Sequence, residues 1–256
     1  MQIDTFYLFL SYIKQLRNDL ILDVGSLDGR NALQFKYAVP GADVVAIEAN
    51  PCNFQTLKKI EEKGIDCRNF AASNFDGNAD FYIYNVDYES ESANKGMSSL
   101  LSAHDPRNVK EIINVEVKRL DGFIGTHYGK SRDIALWIDV EGAGYEVLEG
   151  IGNIMDRVRL VHVEVDRIEN RKGQRFEADV DRLMEECGFR RKAASYDPGG
   201  TFGDVIFVRD SVRLNEYRPV LMYFLMDRMK LQKIASLVLP KGFYERIREF
   251  YCKFMA

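Results

Sequence analysis

At 256 residues and 29.4 kDa, the chain is long enough for one generous α/β domain with a small appendage. Hydrophobic residues make up 46% and charged residues 29%, ordinary globular proportions that exclude a collagen, a coiled coil and a disordered chain. The net charge of −4 is split unevenly, +5 on residues 211–256 and −9 on residues 1–210; an acidic body neutralises no phosphates, so no nucleic acid is expected as a partner.

Residues 2–17 carry Ile3, Phe6, Leu10, Ile13 and Leu16 at three- and four-residue spacing, which predicts an amphipathic helix. Short apolar runs then alternate with helical patterns. Strands are predicted at Leu20–Val24, Val44–Ile47, Ile65–Phe70, Ile134–Val140 and Val158–Val165, and helices at 29–38, 51–63, 142–156 and 175–187. The alternation implies βαβ units and a parallel sheet with right-handed crossovers. Two last strands, Phe189–Ala194 and Asp204–Val208, are joined by Asp197-Pro198-Gly199-Gly200, a link short enough for an antiparallel hairpin at the sheet edge. Residues 77–120 break the rhythm. They hold strand-like Ala79–Tyr84, a polar loop and strand-like Ile112–Lys118, and are expected to form a lid or substrate loop.

Three strand ends carry the chemistry. In Asp23-Val24-Gly25-Ser26-Leu27-Asp28-Gly29 a strand runs into a glycine turn and a helix, where open α/β sheets bind ligands. The G-x-G-x-x-G of a dinucleotide site is absent, and Asp23 and Asp28 would repel a pyrophosphate. They suit a cationic, phosphate-free ligand such as S-adenosylmethionine. Glu48, in Ile47-Glu48-Ala49-Asn50-Pro51, ends the next strand, where a carboxylate accepts from ribose hydroxyls. The alternative is that Asp23 only forms the turn and that Glu48 or Asn50 only caps the helix at Pro51. Asp139 and Glu141, in Ile138-Asp139-Val140-Glu141-Gly142, leave a third strand at the same edge, placed to hold an ammonium, a metal or a substrate proton; Glu141 could instead cap the following helix.

These runs resemble the FkbM family of methyltransferases. Ala71-Ala72-Ser73, Asp76-Gly77, Ser98-Ser99-Leu100, Val117–Leu120 with Asp121, and Tyr145-Glu146-Val147-Leu148-Glu149-Gly150 extend the resemblance over about residues 20–209. It implies a class I methyltransferase (Rossmann-like) fold, a seven-stranded mostly parallel sheet with an antiparallel edge hairpin. It also implies S-adenosylmethionine as cofactor and O-methylation of a sugar, glycan or small natural-product hydroxyl. Carried over by position, Asp23, Gly25 and Ser26 would line the methionine side, and Glu48 would hold the ribose. Ala49, Asn50 and Ala71 would lie by the adenosine, and Asp139 near the transferring methyl. Many relatives carry a small residue and Asn where Ser26-Leu27 stand.

Asp139 and Glu141 are the expected catalytic bases. His162 and Asp166 are further acids and bases near strand ends, His162 expected as a buried structural imidazole, and His104 and His127 lie in or beside the insertion. A hard cation on Asp139 with Glu164 or Asp166 is left open; ion pairs of those two acids with Arg157, Arg159 or Arg167 are the expected arrangement.

The organisation expected is a helix over 1–19, the methyltransferase domain over 20–210 and a helical extension over 211–256. That extension, with apolar Val220–Met226 and an aromatic stripe at Phe243, Ile247, Phe250 and Phe254, would dock on the parent domain, on a twin subunit in a homodimer, or peripherally on anionic lipid. The rival reading is a cofactor-binding module without turnover, recruited to membrane or partner through these helices. No charge-free apolar run reaches the ~18 residues of a membrane span, and Met1-Gln2-Ile3-Asp4 lacks the basic start of a secretory leader. Cys52, Cys67, Cys187 and Cys252 show neither zinc spacing nor a disulfide framework, so a reduced, cytoplasmic protein is expected.

Overall fold

The computed structural model describes residues 4–84 and 96–214. The chain divides into two units, Met1–Leu214 and Asn215–Ala256; the second, with most of the expected helical extension, lies outside the described residues. No helix among the described residues is long and apolar enough to cross a membrane.

Seven strands form the main sheet: β1 (Leu20–Val24), β2 (Asp43–Ile47), β3 (Asp66–Arg68), β7 (Ile134–Ile138), β8 (Val158–Asp166), β9 (Phe189–Tyr196) and β10 (Phe202–Arg209). Their order is β3-β2-β1-β7-β8-β10-β9. All neighbours run parallel except around β10, which is antiparallel to both β8 and β9. This is the sheet that the resemblance implies. The strands are apolar on both sides because both faces are covered. Leu20, Leu22 and Val24 point into a core with Phe123, Ile124, Val147 and Met184. Ile21, Val44, Ala46 and Trp137 point into the other, which takes in Phe9, Ile13, Phe35 and Leu57.

The helices that cover the sheet are α1 (Thr5–Leu16), α2 (Arg30–Ala38), α3 (Pro51–Leu57), α4 (Leu120–His127), α5 (Gly144–Glu149) and α6 (Glu177–Glu186). Helix α1 begins at Asp4, whose carboxylate accepts from the Phe6 N–H at 3.0 Å. It buries Phe9 and Ile13 fully, each contributing roughly 1.5–3 kcal/mol. It is thus part of the domain and not a separate unit.

Two predicted helices are shorter than their patterns. The 51–63 stretch passes from α3 into a 3₁₀ segment, Lys58–Lys63, and 142–156 breaks into α5 and the 3₁₀ turn Gly152–Arg157 at Gly150 and Gly152. Helix α4 was not visible in sequence, since Gly122 and Gly125 weaken an eight-residue segment.

The insertion builds a second sheet, in the order β4-β6-β5. It comprises β4 (Ala71–Ala72), β5 (Gly77–Tyr84) and β6 (Val109–Lys118). The polar loop over 85–95 lies outside the described residues, but the segment returning from it pairs back onto β5, Tyr82 and Ser99 exchanging hydrogen bonds of 2.8 and 3.1 Å.

Candidate active site

The strand order reverses between β1 and β7, which opens a crevice beyond their C-terminal ends. A cavity open to solvent lies there, where doubly wound sheets bind small molecules. Of the residues expected at the cofactor, Gly25, Glu48, Ala49, Ala71 and Asp139 line it, as does Glu141, expected to be catalytic. Asp23, Ser26 and Asn50 do not line it.

Asp23 sits beneath the glycine turn and is 1% exposed. Its Oδ2 accepts from the Ser26 hydroxyl at 2.6 Å and from the Ala32 N–H at 3.0 Å, tying the turn to the first turn of α2. Burial pushes its pKa up to about 7, against these hydrogen bonds. Asp23 and Ser26 therefore shape the loop from below.

Gly25 is required twice over. Its φ is +84°, and a Cβ there would stand 1.7 Å from the Asp139 carbonyl oxygen. This approach of β1 to β7 floors the cavity. Leu27 adopts a left-handed φ of +53° and lines the cavity.

At the end of β2, Glu48 accepts the Leu27 N–H on Oε2 at 2.8 Å and the Asn50 N–H on Oε1 at 2.7 Å. The Asn53 side chain also hydrogen-bonds this carboxylate, which leaves it lone-pair capacity for one ligand hydroxyl. Burial pushes this pKa also up to about 7. The capping role belongs to Asn50, whose Oδ1 accepts the Cys52 N–H at 2.9 Å at the start of α3.

Asp139 leaves β7 with its N–H on the Val24 carbonyl at 2.9 Å. Burial, then the neighbouring Glu141, Asp204 and Asp23, raise its pKa. Glu141 takes a left-handed φ of +55°, which aims its carboxylate at Arg171, whose Nη2 donates to Oε2 at 2.6 Å. The Ser99 hydroxyl donates to the Glu141 carbonyl at 2.8 Å. Helix α5 starts at Gly144 with Ala143 as its cap, so Glu141 does not cap it. Burial raises the Glu141 pKa and Arg171 opposes it.

Carboxylate oxygens of Asp139, Glu141 and Glu164 lie within 4.8 Å of one another, close enough that each charge raises its neighbours' pKa. Asp166 stands apart, its carboxylate held by Gln174 and by Asn170. The expected ion pairs of Glu164 and Asp166 are not formed. Arg157 donates to the Ser131 and Tyr128 carbonyls, Arg159 pairs with Asp133 and Arg167 with Glu177. His162 is fully buried and stacked on Trp137 at 3.4 Å, and burial lowers its pKa. His127 stacks on Phe123 and His104 lies 3.5 Å from Glu169; neither lines the cavity.

Several cavity residues carry no expected role at the site: Phe81, and Leu27, Asn53, Ser98 and Leu100, which lie within runs that carry the family resemblance. Arg171, 6% exposed, also went unpredicted. It lies in the irregular link between β8 and α6, and only the fold brings it to Glu141.

The fold and the crevice place the chain among doubly wound α/β ligand-binding proteins. Residues 23–191 match the methyltransferase FkbM domain, and the chain belongs to the FkbM methyltransferase family. It is similar to the 2-O-methyltransferase NoeI of Sinorhizobium fredii (strain NBRC 101917 / NGR234), 28% identical over 168 residues. That match covers 60% of this chain and 66% of the relative, slightly under two thirds of its length.

Among solved structures, the magnesium protoporphyrin IX methyltransferase of Synechocystis PCC 6803 with bound SAM superposes with a TM-score of 0.44 at 12% identity, covering 80% of this chain and 77% of that one. Human N-acetylserotonin methyltransferase in complex with SAM gives a TM-score of 0.40 at 12% identity, covering 81% and 52%. Likeness of that degree assigns no chemistry.

Proposed function

We propose that this protein transfers a methyl group from S-adenosylmethionine to a hydroxyl of a sugar, glycan or small natural product. One observation carries the reading. Three carboxylates (Glu48, Asp139 and Glu141) and no cationic side chain line the crevice among the described residues, a donor set that suits a cationic, phosphate-free nucleoside. The relative described as a 2-O-methyltransferase supports oxygen as the nucleophile.

When bound, S-adenosylmethionine supplies a methyl group on a good leaving group, so the protein's part is alignment, exclusion of water and removal of one proton. Glu48 would accept from a ribose hydroxyl on its remaining lone pair, beside Ala49 and Ala71. Gly25, lacking a Cβ, lets the ligand lie against the β1–β7 floor. Asp139 would hold the methionine ammonium, and a carboxylate at this strand edge would accept the acceptor hydroxyl proton.

Calorimetric titration with S-adenosylhomocysteine tests the cofactor, with NAD as control. The wild type should bind S-adenosylhomocysteine and not NAD. Glu48→Ala should weaken binding about tenfold or more, equivalent to about 1.4 kcal/mol, with Glu48→Gln as the less disruptive companion. Tritiated S-adenosylmethionine with methyl glycosides and a cell-envelope glycan extract then tests transfer, which Asp139→Asn should reduce about 100-fold. A folded wild type that binds no S-adenosylhomocysteine sinks the reading.

A further inference from the structure

Strand register sets a row of acids across the sheet edge. Trp137 of β7 is paired with His162 of β8, and their rings stack, so they share a face. Two residues on along each strand, Asp139 and Glu164 therefore share that face too. Glu164 is in turn paired with Asp204 of β10. The row runs outward from the glycine turn: Asp139 beside Gly25, Glu164 one strand away, Asp204 one strand further, with a side chain 42% exposed. Behind it lies His162, wholly buried, its Nε2 3.2 Å from the Asp204 Oδ1 without a hydrogen bond between them.

Of the three clustered carboxylates, Asp139 and Glu141 line the cavity and Glu164 adjoins them, and the three are not equivalent. Glu141 is engaged by Arg171 at 2.6 Å. Asp139 adjoins the cofactor turn. Glu164 has no hydrogen-bond donor among the described residues, and after burial the charges of Asp139, Glu141, Asp166 and Asp204 raise its pKa. The cavity wall beside Asp139 and Glu141 also carries the Ser98 hydroxyl, buried with no partner among the described residues, an open position for a ligand's polar atom.

Resting on the methyltransferase reading above, we propose that Glu164 is the catalytic residue that takes the acceptor proton, and that the half-exposed Asp204 beside it passes that proton to solvent. The acceptor O–H bond breaks and its proton goes to a Glu164 oxygen as the new C–O bond forms. The methyl–sulfur bond breaks with its electron pair going to sulfur. Asp139 is left to the methionine ammonium and Glu141 to Arg171. Burial among like charges raises the Glu164 pKa well above the usual carboxylate range, which suits a base working near neutral pH.

The test compares the wild type, Glu164→Gln, Glu164→Asp and Asp204→Asn. S-adenosylhomocysteine binding is followed by calorimetry, and transfer from tritiated S-adenosylmethionine to the cell-envelope glycan extract is followed from pH 6 to 10. Glu164→Gln should bind S-adenosylhomocysteine within about twofold of wild type, lose about 100-fold in transfer at pH 7 and recover rate as pH rises. Glu164→Asp should restore part of the loss, and Asp204→Asn should shift the pH profile at unchanged binding. Retention of more than half the wild-type rate by Glu164→Gln, with binding intact, overturns the assignment alone. A requirement for magnesium after EDTA treatment overturns it too, since Glu164 would then be a ligand. A wild type that neither binds nor transfers overturns the methyltransferase reading and this inference together.

Discussion

Leu27 stands at φ +53°, a left-handed conformation that costs a residue with a Cβ roughly 1–2 kcal/mol. It is held there because its N–H donates to Glu48 and its side chain lines the cavity, so the strain sits at the ligand edge. Asn tolerates this conformation far better. Leu27→Asn should therefore stabilise the ligand-free protein by about 1 kcal/mol, read as a higher urea midpoint at unchanged slope. An equal or lower midpoint would show that the leucine contact outweighs the backbone strain.

Three separate segments converge on the exit of β7. The link after β8 supplies Arg171, whose guanidinium lies 5.5 Å from the Tyr84 ring centroid of β5. The Tyr84 hydroxyl donates to the Leu101 carbonyl at 2.6 Å, and Lys172 N–H to the Ser102 carbonyl at 2.9 Å. The segment returning from the insertion is thus fastened to Glu141 through Arg171 and Ser99. The Arg171 and Glu141 side chains are 8% and 21% exposed, and removing one partner of a buried pair leaves an uncompensated charge. Arg171→Met should cost about 3 kcal/mol in chemical denaturation. Adding Glu141→Gln should return much of that loss, a coupling that a double-mutant cycle measures. Simple additivity of the two changes would disprove the clamp.

Over the whole molecule, the crevice acids set an unusual pH dependence. Asp23 and Glu48 are pushed by burial from 3.8 and 4.5 up to about 7, and Asp139 and Glu164 are raised as well. A carboxylate with a raised folded-state pKa holds its proton longer in the native state, so stability is present below about pH 4 and is lost as pH rises toward about 7. Asp121 and Glu177, lowered by Arg119 and by Tyr196 and Arg191 respectively, work oppositely, losing stability as pH falls below the ordinary carboxylate range. The ligand-free protein should therefore be most stable near pH 5 and its Tm should fall between pH 5 and 7.5. Saturating S-adenosylmethionine should flatten that fall, because a cation favours the ionised acids. A ligand-free Tm that rises across this interval would contradict the crevice electrostatics.

The sequence by itself determined the layered fold and the three acid-bearing strand ends. Periodicity and turn chemistry are local: Leu20–Val24 runs into Gly25, and Ile134–Ile138 into Asp139, wherever those strands come to lie. It could not say which acids share a space. Asp23 and Asp139 look alike as acids at strand ends, yet hydrogen bonds from Ser26 and Ala32 draw Asp23 beneath its turn, while Asp139 reaches the cavity. Helix α4 and the two-residue strand β4 were illegible because neither is long enough for a period to show. Arg171 and the Asp139–Glu164–Asp204 row belong wholly to the tertiary structure. Pairing across three strands, which sets Glu164 beside Asp204 forty residues further along the chain, decides which side chains face one another and which charges lose their water.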